Sequence, residues 1–306
     1  MTVTLLMPCR TDEPAVEATL GQVQAAWQHG GLGTPRLSVC VNGAGGADAP
    51  IARALRAWSA VQDLPFAQVD IDTAAVPPFD WSGVRVLRTE RPGKARAWNW
   101  LRRTTRTPAV IFLDADVEFA PDVPAALLQA LVSAPAATLA SARTQAIVRA
   151  SALERIQAVP YAFPFENLSP QLYAARTDRL PAAIPEDLLD PERWLELIVG
   201  YRRIVHAPGA IVSVRLAATW RDFFRQRIRL EQAKRQLACE YPGLGGRGQP
   251  PPQQGTVRRH YAPADLARLV AYLGLRTVAA AIGRWRQRTG RVEVAWRQAT
   301  STKEPR

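Results

Sequence analysis

Two aspartates one residue apart, Asp114 and Asp116, close the apolar run Val110-Ile111-Phe112-Leu113. Such a run reads as a buried strand, and at its end, where the backbone leaves the sheet, both carboxylates can turn towards one site. Two hard oxygen ligands held that close repel each other unless a cation or hydrogen bonds compensate. Mg2+ or Mn2+, its shell completed by diphosphate oxygens and water, is the natural occupant. A solvated pair of loop acids or helix caps gives the same tripeptide, so its place in the fold decides between the two. A second cluster, Arg91-Pro92-Gly93-Lys94-Ala95-Arg96-Ala97, follows another apolar run and opens a helical pattern whose N-terminal amides suit a phosphate. It is not a Walker A loop, which requires G-x-x-x-x-G-K-[ST].

The elements around these clusters alternate. Strands are expected at Val3–Met7, Leu37–Val41, Val84–Leu87 and Val110–Leu113, and helices at Val16–Trp27, Ile51–Val61 and Lys94–Arg103. Strands separated by helices of this length form parallel βαβ units, so the expected class is α/β with a sheet flanked by helices. Ligands on such sheets bind beyond the carboxyl ends of the strands. Those ends read Pro8-Cys9-Arg10-Thr11, Asn42-Gly43-Ala44-Gly45-Gly46, Arg88 to Lys94, and Asp114-Ala115-Asp116. Further strands are expected at Leu139–Ala142 and Ala210–Val214, and helices at Trp194–Tyr201 and Trp220–Leu237.

The chain of 306 residues carries 39 Lys+Arg against 27 Asp+Glu, a net charge of +12, and its only lysines are Lys94, Lys234 and Lys303. From Val257 onwards there are eleven Arg or Lys and three acids, so two thirds of the excess lies in the last fifty residues. An anionic partner is expected there. Tyr241–Gly255, with Gly-Leu-Gly-Gly and Pro-Pro-Pro, reads as a linker, and Pro263–Trp285 as a helix with an apolar stripe flanked by arginines. That composition suits an anionic membrane surface or a helix packed on the catalytic domain with a solvated basic face. No RNP, zinc-finger or helix-turn-helix pattern is present, and nucleic acid is not the expected partner. Cys9, Cys40 and Cys239 lack the spacing of a disulfide framework or a zinc site, which fits a reducing compartment. No stretch reaches about 18 uncharged apolar residues, and Val3–Met7 is too short for a signal segment, so the expectation is a cytoplasmic protein, peripheral at the inner face of the cell membrane.

Taken in order, Pro-Cys-Arg-Thr-x-Glu after the first strand, Asn-Gly-x-Gly after the second, Gly-Lys-Ala-Arg-Ala-Trp-Asn before a helix and Leu-Asp-Ala-Asp resemble the family 2 glycosyltransferases of GT-A fold. The resemblance continues through Leu172–Arg176, Ile184–Leu195, Gly200-Tyr201-Arg202 and Arg225–Arg229, and spans roughly residues 3 to 237. It implies a GT-A, Rossmann-like, mixed but mostly parallel sheet over residues 1–240, to which composition adds the 241–255 linker and a basic amphipathic segment at 256–306. It also implies inverting transfer of a sugar from a nucleotide-diphosphate sugar with Mg2+ or Mn2+; the basic amphipathic tail, read as docking on a membrane, adds a lipid-linked or polysaccharide acceptor as the expectation.

Carried onto this sequence, the resemblance gives Asp114 and Asp116 to the metal and donor, with Asp116 the direct ligand. Pro8, Arg10, Glu13 and Asn42 fall to the nucleotide base and ribose, and Lys94 to the donor. Gln226 and Arg229, in Gln226-Arg227-Ile228-Arg229, match the Q-x-x-R-W element that holds diphosphate or acceptor, with Leu230 in place of the tryptophan. The catalytic base is Asp187, in Glu186-Asp187, or Glu192, which stands two residues before Trp194; Asp190-Pro191 reads as a helix cap. His260 beside Tyr261 could complete a metal site. Two competitors remain at this stage. Phe112–Val117 also fits a phosphatase of the haloacid-dehalogenase type, although three βα units precede it, and a basic non-catalytic membrane or nucleic-acid binding protein would need none of this chemistry.

Overall fold

The computed structural model describes residues 2–43, 50–149, 151–162, 167–247 and 263–289. Nine strands form one sheet: β1 (Val3–Arg10), β2 (Arg36–Asn42), β3 (Phe66–Asp70), β4 (Gly83–Thr89), β5 (Ala109–Leu113), β6 (Glu118–Phe119), β7 (Leu139–Ile147), β8 (Leu172–Arg176) and β9 (Ile204–Arg215), in the order β3-β4-β2-β1-β5-β8-β7-β9-β6. The helices are α1 (Val16–His29), α2 (Pro50–Val61), α3 (Lys94–Thr104), α4 (Val123–Ser133), α5 (Ala152–Ala158), α6 (Pro191–Val199), α7 (Trp220–Glu240) and α8 (Pro263–Arg288).

From β3 to β5 every pairing is parallel, while β8 runs antiparallel to both β5 and β7. This is the mixed, mostly parallel sheet flanked by helices that the sequence leads one to expect. The reason lies in strand composition. In β1 Val3 through Met7 are buried, as is the whole of β5, and unbroken apolar strands of this kind are stable only where helices cover both faces.

The chain divides into two compact units, each discontinuous in sequence. The first is Met1–Arg143, Leu168–Asp187 and Arg202–Val212; the second is Thr144–Asn167, Leu188–Tyr201 and Ser213–Arg306. In the first unit a stack of aromatic rings joins α3 to the sheet. Trp98 lies over Phe112 with centroids 5.2 Å apart, and Phe112 over Tyr173 at 5.1 Å. The indole Nε1 of Trp98 donates to the Tyr173 hydroxyl at 2.9 Å, satisfying the polar end of a buried ring. At the other end of α3, the buried Arg85 guanidinium from β4 donates to Thr104 Oγ1 (2.6 Å), to Ser38 Oγ and to the Pro77 carbonyl. Burial pulls this cation down to about 10, and its hydrogen bonds keep it in place beside the helix C-terminus.

In the second unit α8 packs along α7. Gly283 faces α7: a Cβ there would stand 3.4 Å from the Ile228 carbonyl oxygen, in van der Waals contact. The Arg227 guanidinium lies 5.9 Å from the Phe223 ring centroid and 5.1 Å from that of Tyr272. Leu266, Val270, Leu273, Val278 and Trp285 are exposed, whereas Tyr272, Ala279 and Gly283 are buried. Most of the 241–255 linker, together with His260 and the arginines beyond Thr289, lies outside the described residues.

Candidate functional site

β5 delivers the two acids. The Asp114 amide continues the ladder by donating to the Gln171 carbonyl at 2.9 Å, after which the chain leaves the sheet. Ala115 then turns inwards: it is buried, and its carbonyl accepts from Thr19 Oγ1 at 2.8 Å. With the middle residue anchored, the flanking Asp114 and Asp116 are both only half-buried, as a two-residue period requires.

The neighbouring strand ends form a row. Arg10 of β1 pairs in register with Asn42 of β2, and Asn42 with Thr89 of β4. Asn42 is buried and joins three segments, donating from Nδ2 to the Cys9 carbonyl at 2.9 Å and accepting at Oδ1 from the Gly93 amide at 3.3 Å. Gly93 has φ +147°, a conformation that L side chains rarely adopt, and it is the residue from which α3 starts. Lys94 follows as the first residue of the helix. Its Nζ stands 2.7 Å from Asp114 Oδ1 and donates to the Pro170 carbonyl at 3.2 Å, with the two side chains 20% and 25% exposed.

The other candidates of the first unit lie on the same end of the sheet or on the loops that leave it. Pro8 is a half-buried residue of β1. Arg10 is held by Asp12 through two hydrogen bonds of 2.8 Å, and the buried Glu13 accepts from the Ala15 amide at 3.2 Å. Asp187 is exposed and closes the segment 168–187 of this unit. Its neighbour Glu186 pairs with Arg96 of α3 at 2.5 Å. Glu192, Gln226 and Arg229 belong to the second unit. Glu192 sits in the first turn of α6 at 6% exposure, and Asp190 caps that helix by accepting from the Arg193 amide at 3.0 Å, with Pro191 at its start. Arg229 donates to the Leu189 carbonyl at 2.8 Å; burial lowers its pKa to about 10, and the Asp190 and Glu192 carboxylates oppose that shift. Gln226 is half-buried on α7.

Two features escaped the sequence. β3 was missed, so four strands rather than three precede the acidic pair, and with it went Asp72, which accepts from the Thr89 hydroxyl at 3.0 Å and from the Glu90 amide at 3.0 Å beside the row of strand ends. The Glu90 amide above all holds the Asp72 carboxyl below its usual range. The acids of Asp70-Ile71-Asp72 at the end of a short run were the available signal. The second is Asn99, whose amide pairs with the backbone of Ile184 through two hydrogen bonds of 2.8 Å.

Residues 71–178 match the model of glycosyl transferase family 2. No curated protein matches the chain. Among solved structures, a mannosyltransferase from Pyrobaculum calidifontis in complex with GDP-Man and Mn2+ is 20% identical, with 94% of this chain and 79% of that one covered at a TM-score of 0.55. Glucosyl-3-phosphoglycerate synthase from Mycobacterium tuberculosis, in complex with Mn2+, UDP-glucose and phosphoglyceric acid, is 18% identical, with 81% of each chain covered at a TM-score of 0.48. The first likeness shows the fold. A haloacid-dehalogenase arrangement is ruled out on topology, since that fold places its aspartate motif on the first strand and here the motif ends the fifth in chain order. The segment 71–178, which contains Lys94, Asp114 and Asp116, belongs to glycosyl transferase family 2, and the chain is a glycosyltransferase of GT-A fold.

Proposed function

We propose that the protein transfers a sugar, with inversion at the anomeric carbon, from a nucleoside-diphosphate sugar held with Mg2+ or Mn2+ to a lipid-linked or glycan acceptor. The observation that carries this is the Asp114–Asp116 pair at the end of β5, with Lys94 against it and the Arg10–Asn42–Thr89 row beside it. Among the described residues no three His, Cys, Asp or Glu side chains come together as a metal site. Two acids alone make an incomplete shell, and that fits a cation whose other ligands are donor diphosphate oxygens and water. When bound, such a cation stabilises the charge developing on the leaving diphosphate. The GDP-Man and Mn2+ of the Pyrobaculum mannosyltransferase support the same chemistry.

The chain's own residues then divide the work. Pro8, Arg10, Glu13 and Asn42 frame the nucleotide at the strand ends, and Lys94 supplies a cation for the diphosphate. An acceptor hydroxyl oxygen bonds to the anomeric carbon as the carbon–phosphate oxygen bond breaks, and a carboxylate takes the hydroxyl proton. We assign that proton to Asp187. Its exposure supports the assignment, whereas Glu192 is buried beside Arg229. Arg229 acts through the Leu189 backbone that it grips.

α8 supports the acceptor class. Ala264–Arg286 is, among the described residues, the one helix long and apolar enough to cross a membrane, and it holds an 18-residue window with a mean hydropathy of 1.4. Because Tyr272, Ala279 and Gly283 of that helix are buried, we assign it to the membrane surface at the cytoplasmic face, its outward apolar residues meeting lipid and its arginines the anionic headgroups.

The test is product stereochemistry: with an α-linked donor, UDP-glucose or GDP-mannose, Mn2+ and membrane lipid extract, proton NMR should find a β-linked product. An α-linked product would contradict inversion, and turnover undiminished by chelator would contradict the metal.

A further inference from the structure

We infer that Asn99 is a positioning residue for the reaction: through the backbone of Ile184 it fixes where the Asp187 carboxylate stands relative to the acidic pair. The inference rests on the assignment of Asp187 as base. One face of α3 grips the segment that ends in Asp187 at three successive points spaced three residues apart. Arg102 donates to the Thr177 carbonyl at 2.7 Å, Asn99 exchanges two 2.8 Å hydrogen bonds with Ile184, and Arg96 pairs with Glu186 at 2.5 Å. The contact at Asn99 has strand-like logic. Its amide presents one donor and one acceptor to the C=O and N–H of a single residue, as a paired β-strand would, and Ile184 is buried.

The same helix begins at Lys94, which touches Asp114, and is locked to the sheet by Trp98. Lys94 and Asn99 are five residues apart, about 7.5 Å along a helix that rises about 1.5 Å per residue. α3 is therefore a rigid spacer between the acids that face the donor and the segment that carries the base. A side chain that sets such a distance contributes to the chemical step while leaving ground-state donor binding alone.

The experiment measures nucleoside-diphosphate release from UDP-glucose, GDP-mannose and dTDP-glucose with Mn2+ and membrane lipid extract as the source of acceptor, for the wild-type protein and for Asn99→Ala, the isosteric Asn99→Asp, Asp187→Asn and the double variant Asn99→Ala/Asp187→Asn. Each variant's fold is checked by its thermal midpoint. Asn99→Asp keeps the acceptor for the Ile184 amide but sets a carboxylate against the Ile184 carbonyl, so it tests the clamp without a cavity. The expected result is a kcat about 100-fold lower for both Asn99 variants, with donor KM within about twofold of wild type. The double variant should be no slower than Asp187→Asn alone, because a misplaced base that is already absent costs nothing further. If Asp187→Asn is inactive while Asn99→Asp keeps full kcat, or if the two losses multiply, the positioning role is overturned and the assignment of the base stands. An Asp187→Asn protein with wild-type kcat, or a wild-type protein that turns over none of the donors, overturns the assignment itself.

Discussion

Lys94 Nζ stands 2.7 Å from Asp114 Oδ1, so one of the two acids at the end of β5 is neutralised by the first residue of α3. The pair lowers the repulsion between Asp114 and Asp116 before any cation arrives, and it sets a competition. A metal drawn to the two acids gains less charge with Lys94 present, whereas a diphosphate gains a partner. Lys94→Met should therefore strengthen Mn2+ binding in the absence of nucleotide, by about three- to tenfold, and weaken nucleoside-diphosphate binding in its presence by at least as much. Isothermal titration of metal alone and then of nucleotide separates the two; a parallel change in both would contradict the competition.

The two acids offered by the sequence for proton removal make opposite predictions. Asp187→Asn should lower kcat by about 10³-fold with donor KM little changed. Glu192→Gln removes a buried carboxylate that opposes the charge of the half-buried Arg229, so its effect should fall on the thermal midpoint, with kcat of the folded protein within about fivefold of wild type. Steady-state kinetics and calorimetry on both variants decide.

Asp72 links stability to pH. Its folded-state carboxyl is held below its ordinary value, chiefly by the Glu90 amide with help from the Thr89 hydroxyl. The folded state then binds its proton less readily than the unfolded chain. Its contribution is full above the ordinary carboxylate value and is lost as pH falls through the lowered one. The thermal midpoint of Asp72→Asn should lie below that of wild type at pH 7, and the two curves should converge as the pH is lowered past the carboxylate range. A gap that persists at the acid end would show that Asp72 acts by some other means.

The apolar outward face of α8 is the element that the membrane assignment depends on. Leu266, Val270 and Leu273 are 56%, 64% and 47% exposed, so replacing all three with Ser should leave the thermal midpoint within a few degrees. Co-sedimentation with vesicles of phosphatidylglycerol should fall about tenfold or more, since each apolar side chain removed from lipid forfeits of the order of 1 kcal/mol. Undiminished sedimentation would move the contact elsewhere on the protein.

What the sequence made legible follows from periodicity. β1, β2, β4, β5 and α3 were read to within three residues at either end, because buried parallel strands are unbroken apolar runs and α3 opens behind a glycine. β3 was missed since Phe66–Asp70 is half-buried throughout and mixes Gln and Asp with Phe and Val. The ordered motifs placed Lys94, Asn42 and Asp114 correctly at one sheet end because each sits next to an element boundary. Asn99 and Asp72 were out of reach for the opposite reason: their partners, Ile184 and Glu90, are 85 and 18 residues away, and no local pattern encodes such a contact. The division into two discontinuous units was hidden in the same way, as the strands β7 and β9 each pass from one unit into the other.

The central claim is a cation-dependent donor site built on Asp114 and Asp116, and thermal unfolding with Mn2+ and each of UDP, GDP, dTDP and CMP tests it most directly. A ligand that binds only the native state at about 100 times its Kd stabilises it by about 2.7 kcal/mol, enough to move the midpoint by a few degrees. One nucleotide should give that shift in the wild-type protein, and the shift should vanish with chelator and in Asp116→Ala. A shift of the same size in Asp116→Ala, or one indifferent to chelator, would contradict the account.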